Sequence, residues 1–299
     1  MYRYLVLYRK NNGEIISPKD VMVTQKDIYP NGNQKYWRVF SREFVYDGEP
    51  YLRTKSEELL IPTLYGLYSE TGDYTAWFYL VFDGLINISE DKKSINGSSR
   101  KKLSGKLIIK DGIEIINDGA FDECSLLTEV IIPNSVKIIG MEAFDDCSLL
   151  KNIIIPDSVT TIREWAFFMC DGLTEIIIPD SVTTIGSGAF TYCSNLKTAI
   201  LSNSIKIIEG SLFSSCENLT TISIPKSVIE IKEKAFLDCT NLKTISIPKS
   251  VTQFGFYTFL NSGLTDIYYE GTETQWKSII NVDACDIPEN TTIHFNSDI

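Results

Sequence analysis

The chain has 299 residues, enough for a sizeable core in one to three domains. Its hydrophobic content of 43% and charged content of 22% are those of an ordinary globular protein. A net charge of −11 disfavours nucleic acid as the main partner, and no apolar run reaches the length of a membrane-spanning helix.

The charge is unevenly spread. Residues 1–100 are neutral overall, 101–261 carry −5 and 262–299 carry −6. The opening MYRYLVLYRKNNGE has only LVL as an apolar core, interrupted by Tyr and Arg, so it does not read as a secretion signal. The expectation is a cytoplasmic protein; a trimmed leader would instead leave a surface or secreted one. YRYLVLY (2–8), YWRVFSREFVY (36–46) and YTAWFYLVFDGLINI (74–88) read as strands. SEELLIPTLYGLY (56–68) has room for a short helix that Pro62 limits. Residues 1–86 thus read as a small α+β or mostly β domain. It holds 11 of the 15 tyrosines, which suit a domain core or a recognition surface. Residues 87–105 are polar and rich in Ser and Gly, and read as a boundary loop.

Beyond it the chain repeats. Phe recurs at 121, 144, 167, 190, 213, 236 and 259, every step 23 residues. Cys124, Cys147, Cys170, Cys193, Cys216 and Cys239 keep the step, as do Leu127, Leu150, Leu173, Leu196, Leu219 and Leu242. Pro133, Pro156, Pro179, Pro225 and Pro248 follow it, with Ser202 as the one substitution. The unit is C-x-x-L-x-x-I-x-I-P-x-S-V-x-x-I-x-x-x-A-F-x-x. A leading copy has Leu107, Ile109, Ile113, Ile116, Ala120 and Phe121 at the right offsets but Lys101 in place of cysteine. In the trailing copy Leu264 comes one residue early and Glu270 replaces the proline.

L-x-x-I-x-I has the period of a strand, which the proline ends. One unit cannot fold alone. Its five or so large apolar side chains contribute about 1.5–3 kcal/mol each on burial, while ordering costs about 1–2 kcal/mol per residue. Stacking adds inter-coil hydrogen bonds and buries both faces, so the repeats form a solenoid of 23-residue coils over 106–261. The unit resembles the BspA-type leucine-rich repeat over about residues 101–270, and LTDIYYEGTETQWKSI (264–279) resembles that family's terminal segment. The resemblance implies a strand-rich leucine-rich-repeat solenoid with a binding role, in a family whose members are often bacterial surface or secreted proteins.

A solenoid end exposes an apolar coil and a strand edge, and both need covers. Residues 262–299 read as a degenerate last repeat and a cap. Thr272 and Gln275 fit a capping box opening a short helix at about 272–281, with Trp276 and Ile279 facing the last coil. Residues 1–86 are the expected cover at the other end.

No catalytic residues, cofactor or metal site are expected. The single histidine, His294, lies in the tail, where residues are usually mobile. Neither G-x-G-x-x-G nor G-x-x-x-x-G-K-S/T occurs. Asp145/Asp146 and Asp122/Glu123 read as solvated turn residues. The cysteines occupy equivalent positions of successive coils, so they form a row that cannot converge on one ion. Their stacked Cβ vectors oppose disulfides, and a buried packing ladder is the reading preferred. Cys285, outside the repeat, stands out as the most reactive thiol. An enzyme or effector activity within residues 1–100 remains an alternative.

The outward strand position between the two inward isoleucines reads Ile108, Ile131, Ile154, Ile177, Ile200, Ser223, Ser246 and Tyr268. Beside it run Glu129, Asn152, Glu175 and Thr198. Five isoleucines in a row outline an apolar stripe that would bind a partner, reflect strand preference alone, or be covered by residues 1–86. The function this supports is a protein-binding module of monomeric or weakly oligomeric state, used through the strand face. A surface adhesin binding protein or glycan is the alternative.

Overall fold

The computed structural model describes residues 3–9, 15–16, 52–53, 59–68, 76–77, 86–89, 93–98, 103–109 and 111–297. Two compact units result. One comprises Met1–Asn87 with Leu107–Asp111, the other Ile88–Lys106 with Gly112–Ile299.

In the first unit, strand Arg3–Arg9 pairs antiparallel with Leu59–Tyr68, from Arg3 opposite Tyr68 to Arg9 opposite Ile61. Ile15–Ile16, Leu52–Arg53 and Ala76–Trp77 complete the sheet. The helix expected within 56–68 is instead a ten-residue strand. Pro62 does not break it because it stands opposite Tyr8, where the register shifts; a residue without an N–H is tolerated at such an irregularity. The strand expected at 36–46 lies outside the described residues. So do 74–75 and 78–85 of the one expected at 74–88, which otherwise holds strands Ala76–Trp77 and Ile86–Ile88.

The second unit is a parallel β-solenoid. Its long-strand row runs through Leu126–Ile131, Asn152–Ile154, Glu175–Ile177, Thr198–Ile200, Thr221–Ser223, Thr244–Ile247 and Asp266–Tyr269. Paired residues are 23 apart, as Ile131 with Ile154 and Ile177 with Ile200, except in the last pair, where Thr244 meets Asp266 at a step of 22. A second row of two-residue strands follows the prolines, from Ile115–Ile116 to Gln253–Phe254, again at steps of 23. Ser94–Ser98, in the stretch read as a boundary loop, is a strand that pairs with Ile115 and Ile116.

The inward positions fill the core as the spacing requires. Leu127, Val130, Ile132, Val136, Ile139, Ala143, Phe144 and Cys147 are buried, and so are their equivalents in later coils. The phenylalanines form one continuous stack from Phe121 to Phe259, with centroids 5.2–6.0 Å apart and rings within 16° of parallel.

A third row, at the A-F corner, is not a strand, yet it is bonded like one. From the coil of Phe121 to that of Phe236, three amides donate to the next coil. For Trp165, Phe167 and Met169 the acceptors are the carbonyls of Ser187, Ala189 and Thr191 at 2.9–3.1 Å. Two of the three residues have left-handed backbone in every coil: Gly119, Glu142, Trp165, Gly188, Ser211, Lys234 and Tyr257 at one position, and Glu123, Asp146, Met169, Tyr192, Ser215, Asp238 and Asn261 at the other. That conformation costs a residue other than glycine about 1–2 kcal/mol. The inter-coil bonds hold it in place.

The carboxy-terminal cover opens on the expected capping box, but its helix is the five residues Glu273–Lys277 rather than about 272–281. Thr272 accepts from the Gln275 amide, and the Gln275 side chain accepts from the Thr272 amide, opening helix Glu273–Lys277. Trp276 lies edge-on to Phe254 and Tyr269 and is buried, as is Ile279. The tail then completes each row in turn. The Ile280 carbonyl accepts from Phe254, those of Ala284 and Cys285 accept from Tyr257 and Phe259, and strand Thr292–Phe295 pairs with Asp266–Tyr269. His294, expected in a mobile tail, therefore sits in a parallel ladder.

Candidate functional site

The long-strand row alternates from Val130 onward in its first strand, and at the equivalent positions of later coils. Leu127, Val130 and Ile132 and their equivalents point in, so the residues between them point out. Ile131, Ile154, Ile177 and Ile200 are exposed at 38%, 77%, 54% and 42%. Paired register puts Ile131 beside Ile154 and Ile177 beside Ile200. Ile108 ends strand Ser104–Ile108, and its side chain lies outside the described residues. The outward row continues as exposed Ser223 and half-buried Ser246 and Tyr268.

The flanks change character along the row. Beside the isoleucines stand Glu129, Asn152, Glu175 and Thr198 on one side, and Asn134, Asp157, Asp180 and Asn203 on the other. Beside the serines the second flank becomes Lys226 and Lys249. Lys226 pairs with Glu270 at 3.0 Å, and the Lys249 amide reaches the same carboxylate. The face is therefore apolar with an acidic border over one half, and hydroxylic with lysines over the other. A shallow depression of about 380 Å³ lies between Ile131 and Ile154, bordered by Glu129, Asn152 and Asp157.

Tyr268 differs from the other outward residues. The His294 ring stacks on it, with centroids 4.6 Å apart, while His294 Nε2 meets Asp266 Oδ1 at 2.7 Å. Hydrogen bonds from His294 and Thr265 hold the Asp266 carboxyl below the usual carboxylate range. This end of the face is closed by the protein's own tail.

The cysteine row is structural, with a role beyond size. The thiols of Cys147, Cys170, Cys193, Cys216 and Cys239 each donate to a phenylalanine carbonyl in the preceding coil, at 3.1–3.3 Å. At the first rung Ser98 holds the phenylalanine position, and its hydroxyl meets the Cys124 thiol. All seven cysteines are buried. Burial pushes the thiol of Cys285 up to about 12, so its expected reactivity is not what the structure gives. Its thiol donates to the Val282 carbonyl at 2.8 Å. Among the described residues no group of three or more His, Cys, Asp or Glu side chains is placed to hold a metal ion. No described helix is long and apolar enough to cross a membrane.

Stacked parallel coils with an outward side-chain row define the class, a β-solenoid repeat protein. More particularly, the BspA-type leucine-rich repeat region matches residues 98–179 and 166–280, and the chain belongs to that family. Among solved structures it is similar to a leucine-rich repeat protein from Bacteroides ovatus, at 26% identity and a TM-score of 0.57, over 84% of this chain and 60% of that one. It thus spans less than two thirds of that protein. It is also similar to a T. pallidum leucine-rich repeat protein, at 26% identity and a TM-score of 0.55, over 72% of this chain and 99% of that one. No curated protein sequence matches. Family membership points to a protein-binding or surface repeat module.

Proposed function

We propose that the chain is a protein-binding module whose strand face docks an apolar segment of another protein. The observation that carries this is the exposure of Ile131, Ile154, Ile177 and Ile200 in one row. Rungs about 4.8 Å apart make that row about 14 Å long, the reach of four or five residues of extended chain. Strand preference explains isoleucine in a strand, but not the abrupt change to serine at 223 and 246 in the same outward row. The carboxylates of Glu129, Asp157, Glu175 and Asp180 along its border favour a segment with basic flanks.

Ile154→Asp combined with Ile177→Asp tests the reading. The substituted positions are solvent-facing, so stability should fall by no more than about 1 kcal/mol. Proteins captured by the wild-type chain should be lost by the double variant. Equal capture by both refutes the assignment. A wild-type dimer that the variant converts to monomer makes the occupant a second copy of the chain.

A further inference from the structure

A second surface lies at the A-F corner. The left-handed corner positions are cheapest as Gly, Asn or Asp, and several coils use these: Gly119, Gly188, Asp146, Asp238 and Asn261. Other coils carry Glu, Ser or Lys there, the last carries Tyr257, and two adjacent coils together place three large apolar or aromatic side chains there. Trp165, Met169 and Tyr192 occupy corner positions with left-handed backbone while staying 43%, 40% and 47% exposed. Phe168 meets Tyr192 edge-on at 5.5 Å. The Trp165 indole lies over Gly188, so that a Cβ at residue 188 would collide with it. Backbone strain is here accepted for large side chains that the core does not use, and this pattern marks a functional surface.

The adjoining coil supplies the complementary charge. The corner segments read GAFDE (119–123), EAFDD (142–146), WAFFM (165–169) and GAFTY (188–192), so carboxylates abut the aromatic pair and no basic residue lies within the four. Arg163 is engaged with Asp118 at 3.2 Å. Asp145 is so placed that burial, then Asp122, Glu142 and Asp146, push its carboxyl up to about 6. A cation delivered here relieves that crowding and meets the faces of an indole and a phenol.

We infer that the corner of Trp165, Phe168, Met169 and Tyr192, together with Glu142, Asp145 and Asp146, docks an arginine-bearing segment of a partner protein. Guanidinium groups stack on aromatic rings while pairing with carboxylates, so a single side chain uses both halves of the patch. The site is separate from the isoleucine stripe, which belongs to the long-strand row.

The test uses the full chain and fluorescein-labelled octa-arginine, read by anisotropy at physiological salt. Substitutions are taken from sister coils, whose backbone already accepts them: Trp165→Gly, Tyr192→Asn and Asp146→Ser. Circular dichroism checks the fold of each. Trp165→Gly and Tyr192→Asn leave the net charge unchanged and should each weaken binding by roughly 2- to 30-fold. Asp146→Ser should weaken it more than Glu289→Gln, a control of equal charge at an exposed position outside both surfaces. Ile154→Asp with Ile177→Asp should leave it no weaker, so failure at one site is distinguishable from failure at the other. Unchanged binding in both aromatic variants overturns the proposal, because attraction by net charge alone then suffices. So does equal weakening by Asp146→Ser and Glu289→Gln, or the absence of saturable binding.

Discussion

Replacing Phe190 by leucine isolates what the aromatic stack contributes. The Phe190 ring is wholly buried between Phe167, at 5.4 Å and 1° from parallel, and Phe213, at 5.6 Å and 9°. Leucine keeps the site filled with carbon and removes two ring–ring contacts, each worth about 0.5–1.5 kcal/mol beyond buried area. The expected loss is therefore about 1–3 kcal/mol. Phe121 is the comparison, because it stacks on Phe144 and is preceded at its own position by Ser98. Phe121→Leu removes one such contact and should cost about half as much. Hydrogen exchange by mass spectrometry reads this locally, at the corner amides of Phe190 and Tyr192, which donate to Leu212 and Ser214. Their exchange should accelerate by about 30-fold for a 2 kcal/mol loss. Equal destabilisation by the two substitutions would falsify the stacking account and leave shape alone as the cause.

Two further outcomes follow from the ionisable groups. The Asp145 carboxyl is raised from 3.8 to about 6, so the folded chain holds more protons than the unfolded one between these values. Stability then falls as pH rises through that window and does not recover above it. Asp145→Asn should raise the melting temperature at pH 7 and leave it unchanged near pH 3.5. The side chain is partly exposed, so solvent screening reduces the gain to about 1–2 kcal/mol. A melting temperature at pH 7 equal to that of wild type would refute the repulsion. The buried thiols should resist a thiol-labelling reagent at pH 8 in the native chain and all become reactive in strong denaturant. Rapid native labelling of Cys285 would contradict its burial.

The coil was readable because several inward slots keep one kind of side chain, although others vary, as Val130 does with Ala199 and Ala143 with Leu212. Leu127, Ile132, Phe144 and Cys147 recur every 23 residues since a stacked neighbour leaves no other volume. The corner row was not readable as a row. Its left-handed backbone is imposed by bonds from the next coil, so residues as different as Glu142, Trp165 and Lys234 occupy one position. Gly119, Gly188, Asp146, Asp238 and Asn261 at shared offsets were the available signal. The aromatic patch was hidden for the same reason, being spread over two coils in variable positions. The stripe of isoleucines was visible, because alternation along a strand fixes which side chains face out. The histidine was misjudged by its distance from the chain end: the four residues TIHF of Thr292–Phe295 are too short to signal a strand until Asp266–Tyr269 supplies its partner.

The tail that continues all three rows acts as a terminator for the array. It is matched to the last coil, whose Phe254 and Tyr269 meet Trp276 where the preceding coil carries Ile231 and Ile247, and it leaves the interior coils untouched. Genetic exchange between any two copies in register would add or remove whole 23-residue units while preserving both ends. The length of such an array is thus free to drift without a new terminus being invented, and each added coil carries a fresh pair of outward positions, one on the strand face and one at the corner, for selection to fill.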